Sequence, residues 1–217
     1  MLAREGVLDA FGHVSLRHPS DPTRFFLARS LAPESVMESD ILEFDLSSEP
    51  ISPTKVMLYS ERVIHGEIFR ARPDVNAICH HHSPAMMPFV LSDLTLKVVT
   101  QLGATIGKHV PIWDQRVEFG ATNHLVVRRD EAVSLVRSLG QNHIVLMKRH
   151  GATVVASDLR ELAFRSIYSC RDAELQLRAM DFGKVDTFNE AEIELAERFP
   201  EPTLSRAWNH WLARLET

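Results

Sequence analysis

Asn76-Ala77-Ile78-Cys79-His80-His81-His82-Ser83-Pro84 is a short apolar run that ends in three consecutive histidines. The Arg72-Pro73-Asp74 break precedes it, and the apolar, β-branched character of Val75 to Cys79 predicts a strand. Side chains alternate across a strand, so His80 and His82 share one face while His81 and Cys79 take the other. Cys79 is therefore read as core. Two imidazoles on one face begin a metal site, and a divalent ion needs at least a third protein ligand. The competing reading is a polar strand end with histidines there by chance, since the chain carries eleven of them.

The best third ligand is His150. It lies in Lys148-Arg149-His150-Gly151, a tight turn between the apolar segments His143-Ile144-Val145-Leu146-Met147 and Ala152-Thr153-Val154-Val155-Ala156. Such a turn lifts a side chain out of the sheet edge, and the glycine permits a positive φ or a close approach.

Upstream of the histidines, Thr54 to Arg70 follows a helical period, with Val56, Met57, Ser60, Val63, Ile64, Ile68 and Phe69 on one face. On that helix Glu61 and His65, four apart, share a side. A helical Glu is commonly a solvated carboxylate, which is the plain alternative for Glu61. Phe11 to Arg17 alternates like a strand, and the Pro19-Ser20-Asp21-Pro22 turn returns it to Phe25–Ala28 as a hairpin. Ile41 to Leu46 is a third strand candidate. Residues 2–9 read as the last turns of a helix.

Downstream, a short helix is expected around Pro84 to Val90 and a strand near Leu96 to Val99. Residues 102–125 are punctuated by glycine and yield no clear period. A helix is expected from Asp130 to Ser138, ending at Gly140. Ser157 is read as the N-cap of a long helix to about Phe182. Asn189 and Glu192 have capping-box spacing for a helix to Phe199. Trp208, Trp211 and Leu215 sit at helical spacing in a terminal amphipathic segment, expected to pack on this chain or on a second copy.

Composition narrows the classes. The 217 residues suit one domain, 45% are hydrophobic and 24% charged, as in an ordinary globular protein. A formal charge of −5 with no basic cluster argues against nucleic acid. No apolar run approaches the ~20 residues that span a bilayer, and the N-terminus lacks a signal-peptide pattern. Two cysteines are too few for a disulfide framework, so a cytoplasmic location is expected.

Gly12-His13-Val14-Ser15, Ser60-Glu61-x-x-x-His65, Arg72-Pro73-Asp74, His80-x-His82 and Arg149-His150-Gly151 stand in an order and spacing that resembles the class II aldolase/adducin family along nearly the whole chain. The resemblance implies an α/β fold: three α/β/α layers around a central, mostly antiparallel sheet, with residues 1–217 forming a single class II aldolase/adducin-like domain. It implies that His80, His82 and His150 hold one divalent metal ion, usually zinc, with iron, manganese or cobalt as alternatives. It makes Glu61 the acid/base carboxylate. It also implies a small-molecule substrate and a homo-oligomer, a tetramer by family analogy. Adducin-like members without these histidines do no chemistry, and this chain keeps them.

The departures bear on substrate. Phosphate-using members carry Asn where His13 stands, a Thr-Gly pair near Arg29-Ser30, and Ser-Ser before the carboxylate, where this chain has Tyr59-Ser60. Arg29 offers a fork suited to a carboxylate, its plain alternative being a surface arginine. Arg29, Ser30 and His13 are thus the substrate-binding candidates. Gly-His-x-Ser-x-Arg-His-Pro, Ala-Arg-Ser-x-Ala-Pro and Glu-Arg-x-Ile-His-Gly-Glu-Ile together resemble a subgroup of dihydroxyphthalate-type aromatic decarboxylases and a few oxygenases. The leading expectation is a metal-dependent decarboxylase of a hydroxylated aromatic acid. An aldolase on a small non-phosphorylated hydroxy-carbonyl compound is the runner-up, and a non-catalytic interaction module is the third reading.

Overall fold

A computed structural model describes residues 1–215. Seven short segments with strand character form one sheet: β1 (His13–Arg17), β2 (Arg24–Ala28), β3 (Ile41–Asp45), β4 (Ala77–His81), β5 (Ile112–Trp113), β6 (Ile144–Met147) and β7 (Gly151–Ala156). Their spatial order is β3-β2-β1-β4-β7-β6-β5, and only the β5–β6 pair is parallel. β1 and β2 alternate between buried and half-buried side chains, as strands nearer a sheet edge do. In β4 and β7, at the centre, every residue is buried, because both faces are covered.

On one face α1 (Arg62–Ala71) packs beside α4 (Arg129–Leu139). Ile64, Ile68, Leu135 and Leu139 of these helices meet Phe25, Phe44, Ile78 and Val145 of the sheet. The opposite face is covered by α5 (Leu159–Met180), whose Phe164 and Ile167 join Cys79, Leu146 and Val154. The shorter α2 (Met87–Leu91), α6 (Glu190–Ala196) and α7 (Glu201–Ala213) adjoin this second core, while α3 (Gln115–Phe119) sits against α4. The result is the expected three-layer α/β/α arrangement with a mostly antiparallel sheet. Among the described residues no helix is long and apolar enough to cross a membrane.

Several boundaries differ from the expectations. Residues 2–6 make turns closed by Glu5 N to Met1 O and Gly6 N to Ala3 O, and Gly6 at φ +73° ends them before a helix forms. The helix expected from Thr54 begins only at Arg62. Residues 54–59 are instead tied to the chain that leaves β2: Met57 O accepts from Ser30 N at 2.8 Å, and Tyr59 OH donates to Leu31 O at 2.5 Å. Val56 and Met57 are exposed there. The strand expected near Leu96–Val99 pairs with no other strand. Its amides are taken by α5 side chains, Lys97 N by Gln176 Oε1 at 2.9 Å and Val99 N by Asp172 Oδ2 at 3.0 Å.

The cap of α5 is Asp158, one residue after Ser157, and it accepts from Glu161 N. The Asn189–Glu192 capping box is present, though α6 stops at Ala196. Trp211 is buried against Tyr168 of α5, so the terminal helix packs on its own chain.

Candidate metal centre

β4 leaves the sheet carrying His80 and His82 on the α1 side. The β6–β7 turn brings in His150. Arg149 adopts φ +61° and His150 N donates to Met147 O at 3.0 Å, which closes the turn. Gly151 completes the approach of the two strands. A Cβ there would lie 2.3 Å from His81 O and 2.9 Å from His82 Cδ2, so only glycine fits.

Three ring nitrogens converge as a result. His82 Nε2 lies 3.1 Å from both His80 Nε2 and His150 Nε2. Glu61 Oε2 lies 3.7 Å from His80 Nε2 and 3.4 Å from His150 Nε2. One donor atom from each of the four residues falls within 4.8 Å of the others. His81 points the other way, and its Nδ1 accepts from Ser83 N at 3.3 Å.

The other ring nitrogens show which atoms are free to bind. His80 Nδ1 meets Thr153 Oγ1 at 3.0 Å, and His150 Nδ1 donates to the carbonyl of His124 at 2.7 Å. Thr153 Oγ1 turns its own proton to Met147 Sδ at 3.5 Å and so accepts from His80 Nδ1; with both Nδ1 positions protonated, both Nε2 atoms present lone pairs. One proton on His82 Nε2 can serve only one of its two 3.1 Å contacts, whereas a cation at the centre satisfies all three nitrogens. Nitrogens bound at about 2.0–2.1 Å around a tetrahedral zinc are roughly 3.3 Å apart, close to the spacing seen. The donor set therefore fits a divalent ion. Burial, then the neighbouring imidazoles, hold His80 well below the ordinary histidine range and His82 below it, which keeps lone pairs available. Burial also opposes charge on His150, but the Glu61 carboxylate outweighs it and raises that ring.

Glu61 does not share a helix side with His65. It precedes α1 at φ −92°, ψ 15°, outside the helical ladder, and so turns its carboxylate toward the histidines. Val126 N donates to its Oε1 at 2.9 Å, which leaves Oε2 for the centre. Thr153, the carbonyl of His124 and the amide of Val126 orient the donors, and the sequence reading named none of them. A threonine two residues after the turn glycine was the one available sign.

A cavity of about 420 Å³ opens on the centre. His13, Ser30 and Tyr59 line it beside Glu61, His82 and His150, with Phe11 and Leu125 as apolar wall. Arg29 does not. Asp40, in the turn before β3, accepts from its Nε at 2.7 Å, so this candidate is withdrawn from the cavity by a local ion pair. Arg29→Ala is therefore expected to leave substrate affinity within about twofold of wild type, a half-exposed pair of this kind being worth at most about 1 kcal/mol to the fold. A fall of tenfold or more in binding a carboxylated ligand would return Arg29 to the site.

Residues 1–177 match the family described as Class II Aldolase and Adducin N-terminal domain. Decarboxylase tropJ of Talaromyces stipitatus is 27% identical over an alignment that covers 100% of this chain and 91% of that protein. A 3,4-dihydroxyphthalate decarboxylase of Arthrobacter keyseri is 26% identical, with 99% of this chain and 90% of that one aligned. An aldolase II superfamily protein from Pseudomonas syringae has the same fold, with a TM-score of 0.82 at 19% identity over 99% of this chain and 86% of that one. With histidines and carboxylate converged on one cavity, the chain belongs to the class II aldolase and adducin family, among its enzymes.

Proposed function

We propose that this enzyme removes carbon dioxide from a hydroxylated aromatic carboxylic acid. The observation that carries this reading is the wall of the cavity. Aromatic and apolar side chains (Phe11, Tyr59, Leu125) line it, and among the described residues no lysine or arginine does, so a ring finds flat surface and a phosphate dianion finds no counter-charge there. The named decarboxylase relatives support the same choice.

His80, His82 and His150 would hold the ion, zinc first among the candidates because the shell is nitrogen-rich. When bound, the ion acts as a Lewis acid toward substrate oxygens. Glu61 supplies the proton. Glu61, a carboxylate at rest, takes the proton of the substrate's ortho hydroxyl; the ring–carboxylate bond then breaks, carbon dioxide leaves, and the ring carbon that held it takes that proton from the Glu61 carboxyl, leaving the product as its phenolate. Val126 N keeps that carboxyl aimed by holding its other oxygen. Assembly into a homo-oligomer belongs to this reading, and Val117, Leu195 and Phe182, 82–93% exposed, offer apolar surface for it. Cys79 and Cys170, both buried and unpaired, suit a reducing compartment.

The test pairs elemental analysis with carbon dioxide release across hydroxybenzoates and hydroxyphthalates, run beside aldol cleavage of sugar phosphates. One divalent ion per chain and carbon dioxide from acids with a hydroxyl ortho to the carboxylate are expected. Faster cleavage of a sugar phosphate would favour the aldolase reading. A metal-free protein whose stability ignores a chelator would favour an interaction module.

A further inference from the structure

Behind the cavity wall lies a chain of side chains that takes no part in the four-donor cluster. β1 alternates, so His13 and Ser15 face the same side, and α1 lays His65 over them. Ser15 Oγ is 2.5 Å from His65 Nδ1, and His65 Nε2 is 2.6 Å from His13 Nδ1. All three residues are buried. Nε2 of His13, the far edge of the ring, has no hydrogen-bond partner among the described residues, and His13 lines the cavity.

Each of the two contacts holds one proton, and Ser15 sets the direction of both. Among the described residues its hydroxyl has no acceptor other than His65 Nδ1. Were it to accept from His65, its own proton would be buried without a partner, an arrangement folded proteins avoid. Ser15 therefore donates, and His65 Nδ1 is bare. His65 then carries its proton on Nε2 and donates to His13 Nδ1, which must also be bare. The remaining His13 proton sits on Nε2. Burial pulls His65 down to about 3, in keeping with a ring that carries a single proton.

We propose that Ser15 and His65 lock His13 in the Nε2–H tautomer, so that the cavity wall presents a neutral hydrogen-bond donor to a carboxylate, phenolate or carbonyl oxygen of the substrate. His13 replaces Arg29 as the group that meets substrate oxygen. In this tautomer it has no lone pair to offer, which leaves proton transfer to Glu61. Ser15 and His65 are positioning residues. The substrate class rests on the decarboxylase reading, while the proton assignment stands apart from it.

Long-range proton–nitrogen NMR correlation on protein labelled with nitrogen-15 histidine reads the tautomers directly, with no turnover involved. His13 and His65 are both expected as Nε2–H forms. A His13 seen as the Nδ1–H form, or protonated on both nitrogens, overturns the proposal. Ser15→Ala should turn the His13 signals into a tautomer mixture and weaken binding of 2,3-dihydroxybenzoate in proportion to the Nε2–H fraction that remains, about twofold for an even mixture. Ser15→Thr, which keeps the hydroxyl, should restore both. An Ala variant with wild-type spectrum and affinity overturns the proposal. The expected spectrum in a protein that releases no carbon dioxide from any aromatic acid would sink the decarboxylase reading and leave the tautomer lock standing.

Discussion

Glu61→Gln is expected to retain the bound ion and lose turnover by a factor of about 10² or more, the usual size of a general acid/base contribution. The substitution is close to isosteric. The amide oxygen can still accept from Val126 N, as Glu61 Oε1 does at 2.9 Å, so the side chain stays in place. Three imidazoles hold the ion without help from the carboxylate. What disappears is the titratable oxygen, Oε2, which faces His80 and His150. Elemental analysis and turnover on one purified preparation decide the matter. Loss of metal together with activity would make Glu61 a ligand first, and a metal-loaded, fully active variant would end the proposed mechanism.

Gly151→Ala is expected to cost both metal binding and stability. The new Cβ would meet His81 O at 2.3 Å and His82 Cδ2 at 2.9 Å. The carbonyl cannot easily retreat, because β4 and β7 are paired through His81↔Ala152 and His80↔Thr153 immediately beside this contact. The strands must separate or His82 must swing away, and either movement opens the 3.1 Å spacing of the ring nitrogens. Overpacking of this kind costs about 1–3 kcal/mol, which lowers Tm by several degrees in a chain of this size. Calorimetry with metal analysis is the check. One ion per chain at an unchanged Tm would show that the turn accommodates a methyl group.

The parts of the site that were legible in the sequence depend on local rules. His80-x-His82 could be read because strand alternation is a two-residue property, and His150 because a turn before glycine has a local signature. Cys79 and His81 took the opposite face for the same reason. Glu61 does fall among the converging donors, but it precedes the helix the sequence suggested for it. The helical period over residues 54–61 is real, but Ser30 N and Leu31 O, distant in sequence, capture that segment before it can coil. The pairing that holds Arg29 out of the cavity was hidden for the same kind of reason, since Asp40 lies eleven residues away and the folded β2–β3 connection brings it near. The carbonyl of His124 and the amide of Val126 were invisible in principle, because every residue type carries those groups.

The way the Leu96–Val99 segment is fastened has its own consequence. A strand in a ladder shares the stability of its sheet, and its amides exchange with solvent only when the sheet opens. This segment is held instead by two side chains of α5, Asp172 and Gln176, with Thr100 Oγ1 donating to the same Asp172 carboxylate at 2.6 Å, by one backbone bond from Phe188 N to Val98 O at 2.9 Å, and by the buried Leu96 and Val98. Released from α5 and Phe188 together, it can open while β4 and β7 stay zipped, so the Lys97 and Val99 amides are expected to exchange by a local opening whose free energy lies below that of global unfolding. The sheet that carries the candidate metal centre and this side-chain-fastened segment therefore have separate thermodynamic lives within one continuous chain.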